Sequence, residues 1–367
     1  MNSIKSERLL SLDALRGFDM FWIIGAQTLL VALAKATQWG WMNSIADQME
    51  HVEWAGFHFY DLIFPLFIFI SGVSIPFALL KKKEAGVPMK KLIWKVVKRA
   101  LILFGLGLVY NGFFKFNFAT QRIPSVLSQI GFAYLIAALI ILNTKSYKIR
   151  LVALLSILIG YALVQLYVPV PGSAAGVLTQ EGSINSYIDR FFLYNHTFKT
   201  VYDPEGILCI ISASVLTLLG SLCGELLRNP KFSGYKKTSF MASIGIGLIL
   251  IALLLNYRYP IIKALWTSSF NLLTGGISML LLALFYLVID VWKYQKWSFF
   301  FRVIGLNSIT MYLMGSMINF KFTSTYFFDG LAKSTGSFEQ SVIVAGVLAL
   351  EWLTLYFLYK KEIFLKV

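Results

Sequence analysis

Apolar runs of close to membrane-spanning length recur along almost the whole chain, separated by short stretches where Lys, Arg, Pro and Gly collect. A helix needs about 20 predominantly apolar residues to cross hydrocarbon. On that criterion the pattern predicts spans near 12–34, 59–80, 96–114, 125–142, 150–168, 205–226, 239–256, 268–290, 300–320 and 340–359. The third, fourth and seventh are short or interrupted by glycine, so nine or eleven spans also fit. The expected fold class is all-α: a polytopic transmembrane helix bundle of about ten spans, forming a single integral membrane domain over residues 1–367. No internal repeat of the kind common in secondary transporters is evident.

Composition agrees with a membrane solvent. The chain is 57% hydrophobic and only 14% charged, whereas a soluble domain carries about a quarter charged residues. Its mean hydropathy is +0.70. The net charge of +15 does not point to nucleic acid, because the cations lie between apolar runs instead of forming a basic patch with interleaved aromatics. With ten spans, the loops on the side of the two termini hold 23 of the 33 Lys and Arg residues and the opposite loops hold 9, with Arg16 inside the first span. Positive-inside logic therefore predicts both termini in the cytoplasm and residues 35–58 and 169–204 outside. The first apolar run is too long for a cleavable signal peptide and is expected to stay as a span. Cys209 and Cys223 lie about four turns apart in one run, too far for a disulfide.

Charge inside apolar runs marks the candidate chemistry. Asp13, Arg16 and Asp19 are spaced to share one helical face, and each ionised group at membrane depth costs about 2.5–3.5 kcal/mol on insertion scales. They suit either an intrahelical ion pair near the interface or an anion site in which Arg16 meets phosphate. The outer end of the second span holds His51, Glu53, His58 and Asp61, ahead of Pro65. Trp54 and Tyr60 there read most simply as belt aromatics. Metal binding is not expected, since three or four convergent ligands are needed and His196 lies far off in sequence. The common nucleotide and hydrolase motifs are absent. Asn195-His196-Thr197 is formally a glycosylation tripeptide, and Gly220 with Gly224 suggests close helix packing.

These residues also carry a resemblance. Arg8, Ser11-Leu12-Asp13, Arg16-Gly17, His51, Trp54, Gly56, Asp61, Phe64-Pro65, Phe67, Phe69, Gly72 and Ser74 resemble the heparan-α-glucosaminide N-acetyltransferase family and its bacterial relatives. The likeness continues in Arg122-Ile123-Pro124, Val126-Leu127, Gly131, Asp203-Pro204-Glu205-Gly206-Ile207, Leu265-Trp266 and Asn307-Ser308-Ile309. Two positions depart from the family: Gln27 stands where an asparagine is implicated near the active centre, and Gln129 stands where the family has arginine.

The resemblance implies a transmembrane acetyltransferase that moves acetyl from cytosolic acetyl-CoA to the amino group of a glucosamine-type sugar on the far side. It implies an integral protein of a bacterial inner (plasma) membrane, acting on an amino-sugar or glycan acceptor; no metal and no nucleic-acid partner is expected from the residues themselves. A homodimer is compatible with it. CoA is a polyanion, so Arg16, Lys98 and Arg99 at the inner boundary are the candidate donor-binding residues. His51 is the candidate base, oriented by Asp61; an acetyl-histidine route is the alternative. Gln27, Arg122, Asp203, Glu205 and Asn307 are the candidate acceptor residues. For Asp203 and Glu205 a second reading stays open, in which Asp203 caps the sixth span. The competing functions are a proton-coupled transporter of sugars or peptides and an O-acetyltransferase of surface glycans.

Overall fold

The computed structural model describes residues 9–198 and 200–365. Lys5, Arg8, Lys199 and Lys366, which entered the charge asymmetry or the resemblance, lie outside the described residues. Those residues form helices joined by turns, with two isolated bridges and no strands. We number the helices α1 (Leu10–Thr37), α2 (Gly40–Asp47), α3 (Phe59–Glu84), α4 (Met89–Tyr110), α5 (Val126–Asn143), α6 (Tyr147–Tyr167) and α7 (Ile184–Leu193). They continue as α8 (Ile207–Arg228), α9 (Gly234–Leu255), α10 (Ser268–Val291), α11 (Ser298–Leu306), α12 (Ser308–Met317), α13 (Phe320–Ser334) and α14 (Gly336–Lys360).

Eight of these, α1, α3, α5, α6, α8, α9, α10 and α14, are long and apolar enough to cross a membrane. The chain is thus an integral membrane protein with a helical bundle. Two of the ten expected spans do not meet that criterion of length and apolarity. The third falls in α4, which is 22 residues long but places Lys90, Lys91, Lys95, Lys98 and Arg99 in its first half. The ninth is broken at Asn307, where the backbone leaves helical geometry (φ −128°, ψ 30°) between α11 and α12.

The centre of the bundle is the packing of α8 on α3 and α5. In α3, 72% of the most apolar window is buried, against 17% in α9, which lies on the periphery against α10. Small residues make the central contact possible, as the paired glycines suggested. A Cβ on Gly220 would stand 2.1 Å from the Phe69 carbonyl oxygen, and one on Gly72 would stand 2.1 Å from that of Thr217. The α3 and α8 backbones therefore touch directly, which is how helices associate where no hydrophobic effect separates them from lipid.

The two segments expected outside are not structureless. Residues 35–58 contain α2, and residues 169–204 contain α7. They meet through the Trp54 indole, whose Nε1 donates to the Leu178 carbonyl at 2.9 Å, and through the edge contact of Trp54 with Tyr202. Residues 55–56 pair with 261–262 between α9 and α10: Ala55 bridges Ile262, and Gly56 N–H donates to Ile261 O at 2.9 Å. Three loops distant in sequence are thereby tied over one end of the bundle.

Candidate functional site

The turn Phe59–Leu62 that opens α3 sets the first functional side chain. Asp61 is its third residue, and its carboxylate folds back so that Oδ2 accepts from the His58 backbone N–H at 3.0 Å. This reciprocal capping arrangement holds the group rigidly at the helix start. Oδ1 is left for long-range partners: His51 Nδ1 at 2.7 Å and Lys263 Nζ at 3.1 Å. Asp61 is fully buried, while half of the His51 side chain is exposed.

Lys263 Nζ also lies 2.9 Å from His51 Nδ1 and 3.3 Å from Nε2. Nδ1 cannot both donate to Asp61 and accept from Lys263. An ionised Oδ1 accepts from both, so the close approach of Nζ to the ring follows from two donors converging on one oxygen. In that tautomer Nε2 carries no proton and is an acceptor, with Lys263 Nζ as its neighbour at 3.3 Å. Burial lowers the Lys263 ammonium from the usual lysine range, against the opposing attraction of Asp61. The pairing of 55–56 with 261–262 is what carries Lys263 to this spot, on the short turn Lys263–Leu265.

A second cluster borders the first. Arg122 grips Asp203 with two donors, Nε at 2.8 Å and Nη2 at 2.6 Å, and its Nη2 also contacts Glu205. Such fork geometry is a property of arginine and carboxylate planes. Its face covers the Phe198 ring at 4.8 Å. Burial raises the Glu205 carboxyl to about 7, with Arg122 opposing the rise and Asp203 adding to it. Asp203 does not cap α8. The helix begins at Ile207, and the carboxylate that receives its first N–H is Asp189 Oδ1 at 2.9 Å. Burial raises Asp189 itself to about 7.

Two cavities meet at His51, Glu205 and Lys263, all three of which line both. One, of about 390 Å³, has Arg122, Tyr202 and Trp54 in its wall. The other, of about 350 Å³, runs between apolar side chains that include Phe64 and Phe67 of α3 and Leu127 and Ile130 of α5. Further along the same α3–α5 seam lies a third cavity of about 410 Å³, lined by Ser74, Ala78 and Tyr134 and by Lys95, Lys98 and Arg99 of α4. Ile130 and Tyr134 are one turn apart, and Phe67 and Ser74 about two turns, so only about 10 Å of helix separates these two cavities along α3. The Arg99 guanidinium lies 4.1 Å over the Tyr134 ring, and its buried Nε has no hydrogen-bond partner among the described residues.

The structure thus brings together His51, Asp61, Arg122 and Glu205, with Asp203 behind Arg122, and separately Lys98 with Arg99. It does not bring in three other candidates. Arg16 pairs with Asp13 at 3.4 Å and lines neither the His51 cavities nor the Arg99 cavity. Gln27 accepts from the Thr28 hydroxyl and lines none of the three cavities. Asn307 is tied to the C-terminal segment, donating to Ile363 O and accepting from Leu365 N, which removes it from the Arg122 cluster. Trp54 and Tyr60 are more than belt aromatics: Tyr60 packs 4.9 Å from the His51 ring. His58 turns its ring to the Glu50 carbonyl, and His196 turns its ring to that of Gln121.

Comparison with known proteins adds a relationship. A family model described as a domain of unknown function, DUF5009, matches residues 8–111. Heparan-alpha-glucosaminide N-acetyltransferase of Mus musculus is 26% identical over 374 residues, covering 87% of this chain. The Homo sapiens protein of the same name is 26% identical over 373 residues with the same coverage. The chain is a distant relative of these N-acetyltransferases. It spans about half the length of the curated relatives it matches, 56% in each case.

Lys263 is the residue that sequence reading missed. The available signal was positional: it is a cation in a short loop on the cation-poor side, three residues before the Trp266 that carries part of the resemblance.

Proposed function

We propose that this protein is a membrane acetyltransferase that takes acetyl from acetyl-CoA at the cytoplasmic face and delivers it to a primary amine, of the amino-sugar class, at the outer face. One observation carries the reading: a histidine held by a buried carboxylate stands where an apolar slot meets a cavity walled by Glu53, Arg122 and Glu205. The slot aims along α3 and α5 toward the cavity lined by Lys95, Lys98 and Arg99. That cavity suits the phosphates of CoA, and the slot suits an extended, largely apolar pantetheine arm. Distant similarity to named N-acetyltransferases supports the reaction class.

On this reading Asp61 keeps the proton of His51 on Nδ1, so Nε2 removes the proton of the acceptor amine as its nitrogen attacks the acetyl carbonyl. Lys263 stands beside Nε2 and donates to the oxygen that gains charge, in the manner of an oxyanion hole. The C–S bond then breaks, and the thiolate takes the proton that His51 holds. Glu205, in the wall of the Arg122 cavity, attracts the ammonium form of the acceptor before it loses its proton. The direct test is release of free thiol from acetyl-CoA by the purified protein: it should depend on added glucosamine and yield N-acetylglucosamine. Donor consumption that is the same with and without the amine contradicts the reading.

Two further outcomes are expected. Arg99→Ala should weaken CoA binding by about 1–3 kcal/mol, the range for charge-assisted contacts, measured by calorimetry in detergent; unchanged affinity would remove the phosphates from the α4 cavity. Glu205 titrates near 7, so its negative charge is present above that pH and is lost as pH falls through it. The Kd for glucosamine should therefore rise between pH 7 and pH 5, where the sugar amine is already in its ammonium form, by up to about tenfold per unit where binding requires the ionised carboxylate. Glu205→Gln should flatten this dependence, and an equally steep profile in the variant would exclude Glu205 as its source.

A further inference from the structure

Glu351 is the one charged residue of α14 between Glu339 and Lys360. It is 4% exposed, and its Oε2 has no hydrogen-bond partner among the described residues. A carboxylate at this depth is costly unless something pairs with it. Glu351 lines two cavities outside the His51 site, one of about 210 Å³ and one of about 440 Å³, which share Gly315, Ser316 and Glu351 itself. The smaller one also shares Met20, Ile23, Tyr110 and Tyr312 with the apolar slot that reaches His51. Tyr110 and Tyr312, stacked at 4.8 Å, stand between Glu351 and that slot.

The surroundings select the charge of an occupant. The C-terminal turn of α12, Gly315 to Met317, walls the larger cavity, and a helix C-terminus presents unsatisfied carbonyls with partial negative charge. Glu351 adds a carboxylate at the same place. The cation on this wall, Lys321, is exposed and leaves the buried oxygen of Glu351 without a partner. Together the two cavities have the volume of a small-molecule site.

We infer that Glu351 is the anionic anchor of a second site, distinct from the Arg122–Glu205 mouth, that binds a small molecule bearing a primary ammonium group next to the tyrosine pair. The inference rests on the amine-acceptor reading for its ligand class: the site holds an acceptor amine beside the slot that leads to His51. The ligand's N–H groups replace the missing partner of Oε2 and meet the carbonyls that end α12.

The test is binding of glucosamine to the full-length protein in detergent without acetyl-CoA, by calorimetry, with N-acetylglucosamine as the uncharged comparison. The Glu351 site should appear as a glucosamine-binding component that persists in Glu205→Gln and is weakened at least tenfold in Glu351→Gln, with N-acetylglucosamine showing no such component. Glu351→Asp, which keeps the charge, should retain part of it, and thermal melts of both variants separate a lost site from a lost fold. Glucosamine binding identical in wild type and folded Glu351→Gln overturns the inference. So does a Glu351-dependent response to sodium ion with none to glucosamine. If the Glu351-dependent binding is present but no acetyl transfer occurs, the site stands and the transferase reading falls. If transfer occurs with binding unchanged by Glu351→Gln, the reverse holds.

Discussion

His51→Ala should lower acetyl transfer to glucosamine by about 10²- to 10⁴-fold, the usual contribution of a positioned general base, while leaving CoA binding intact. The expectation follows from geometry: Nδ1 is committed to Asp61 at 2.7 Å, and half the side chain is open to the junction of the two cavities. His58→Ala is the matched control. Its contribution to the same carboxylate is a backbone N–H at 3.0 Å, which alanine also supplies, and its ring faces the Glu50 carbonyl. The His58 variant should stay within a few-fold of wild type. Steady-state rates on both purified variants, each first shown to bind CoA, decide the matter; a fully active His51→Ala, or an inactive His58→Ala beside it, reassigns the base.

Lys263→Met should cost about 10²- to 10³-fold in kcat, the loss seen when one oxyanion donor is removed, with the KM for acetyl-CoA little changed. Lys263 Nζ is 3.1 Å from Asp61 Oδ1 and 3.3 Å from His51 Nε2, so it is anchored on one side and adjacent to the reacting proton on the other. Methionine keeps the length and the apolar stem but has no donor. Arginine keeps charge and donors in a different shape and should recover part of the rate. A purely structural role would appear instead as a lowered melting temperature with kcat reduced only a few-fold, and that pattern would remove Lys263 from the chemistry.

The bundle was legible because apolar length is a bulk property of the chain: residues 205–226 or 268–290 cannot be read another way. The length criterion is least decisive where charge and backbone geometry intervene, at the cationic half of α4 and at the Asn307 break. Within the site, His51 was singled out by the resemblance, and its pairing with Asp61 was legible because only ten residues separate them. The Arg122–Asp203 pair, 81 residues apart, came from the resemblance alone, and the structure supplied the fork between them. Lys263 and the Asp189 cap of α8 depend on loop pairing and burial that leave no periodic trace in the sequence. Asn307 was misplaced for the same reason: its partner is the C-terminal segment, and nothing local announces that contact.

The central claim is transfer of an acetyl group from one face of a membrane to an amine on the other, through His51. The most direct measurement places purified protein in sealed vesicles, selects the molecules oriented with the cytoplasmic face outward by protease or affinity capture, and adds radiolabelled acetyl-CoA outside with glucosamine trapped within. Labelled N-acetylglucosamine accumulating inside, while free CoA stays outside and His51→Ala forms product at least about a hundredfold more slowly, is the predicted result. Labelled product appearing only outside when glucosamine is supplied there, or glucosamine crossing the membrane unmodified without any acyl donor, contradicts the account.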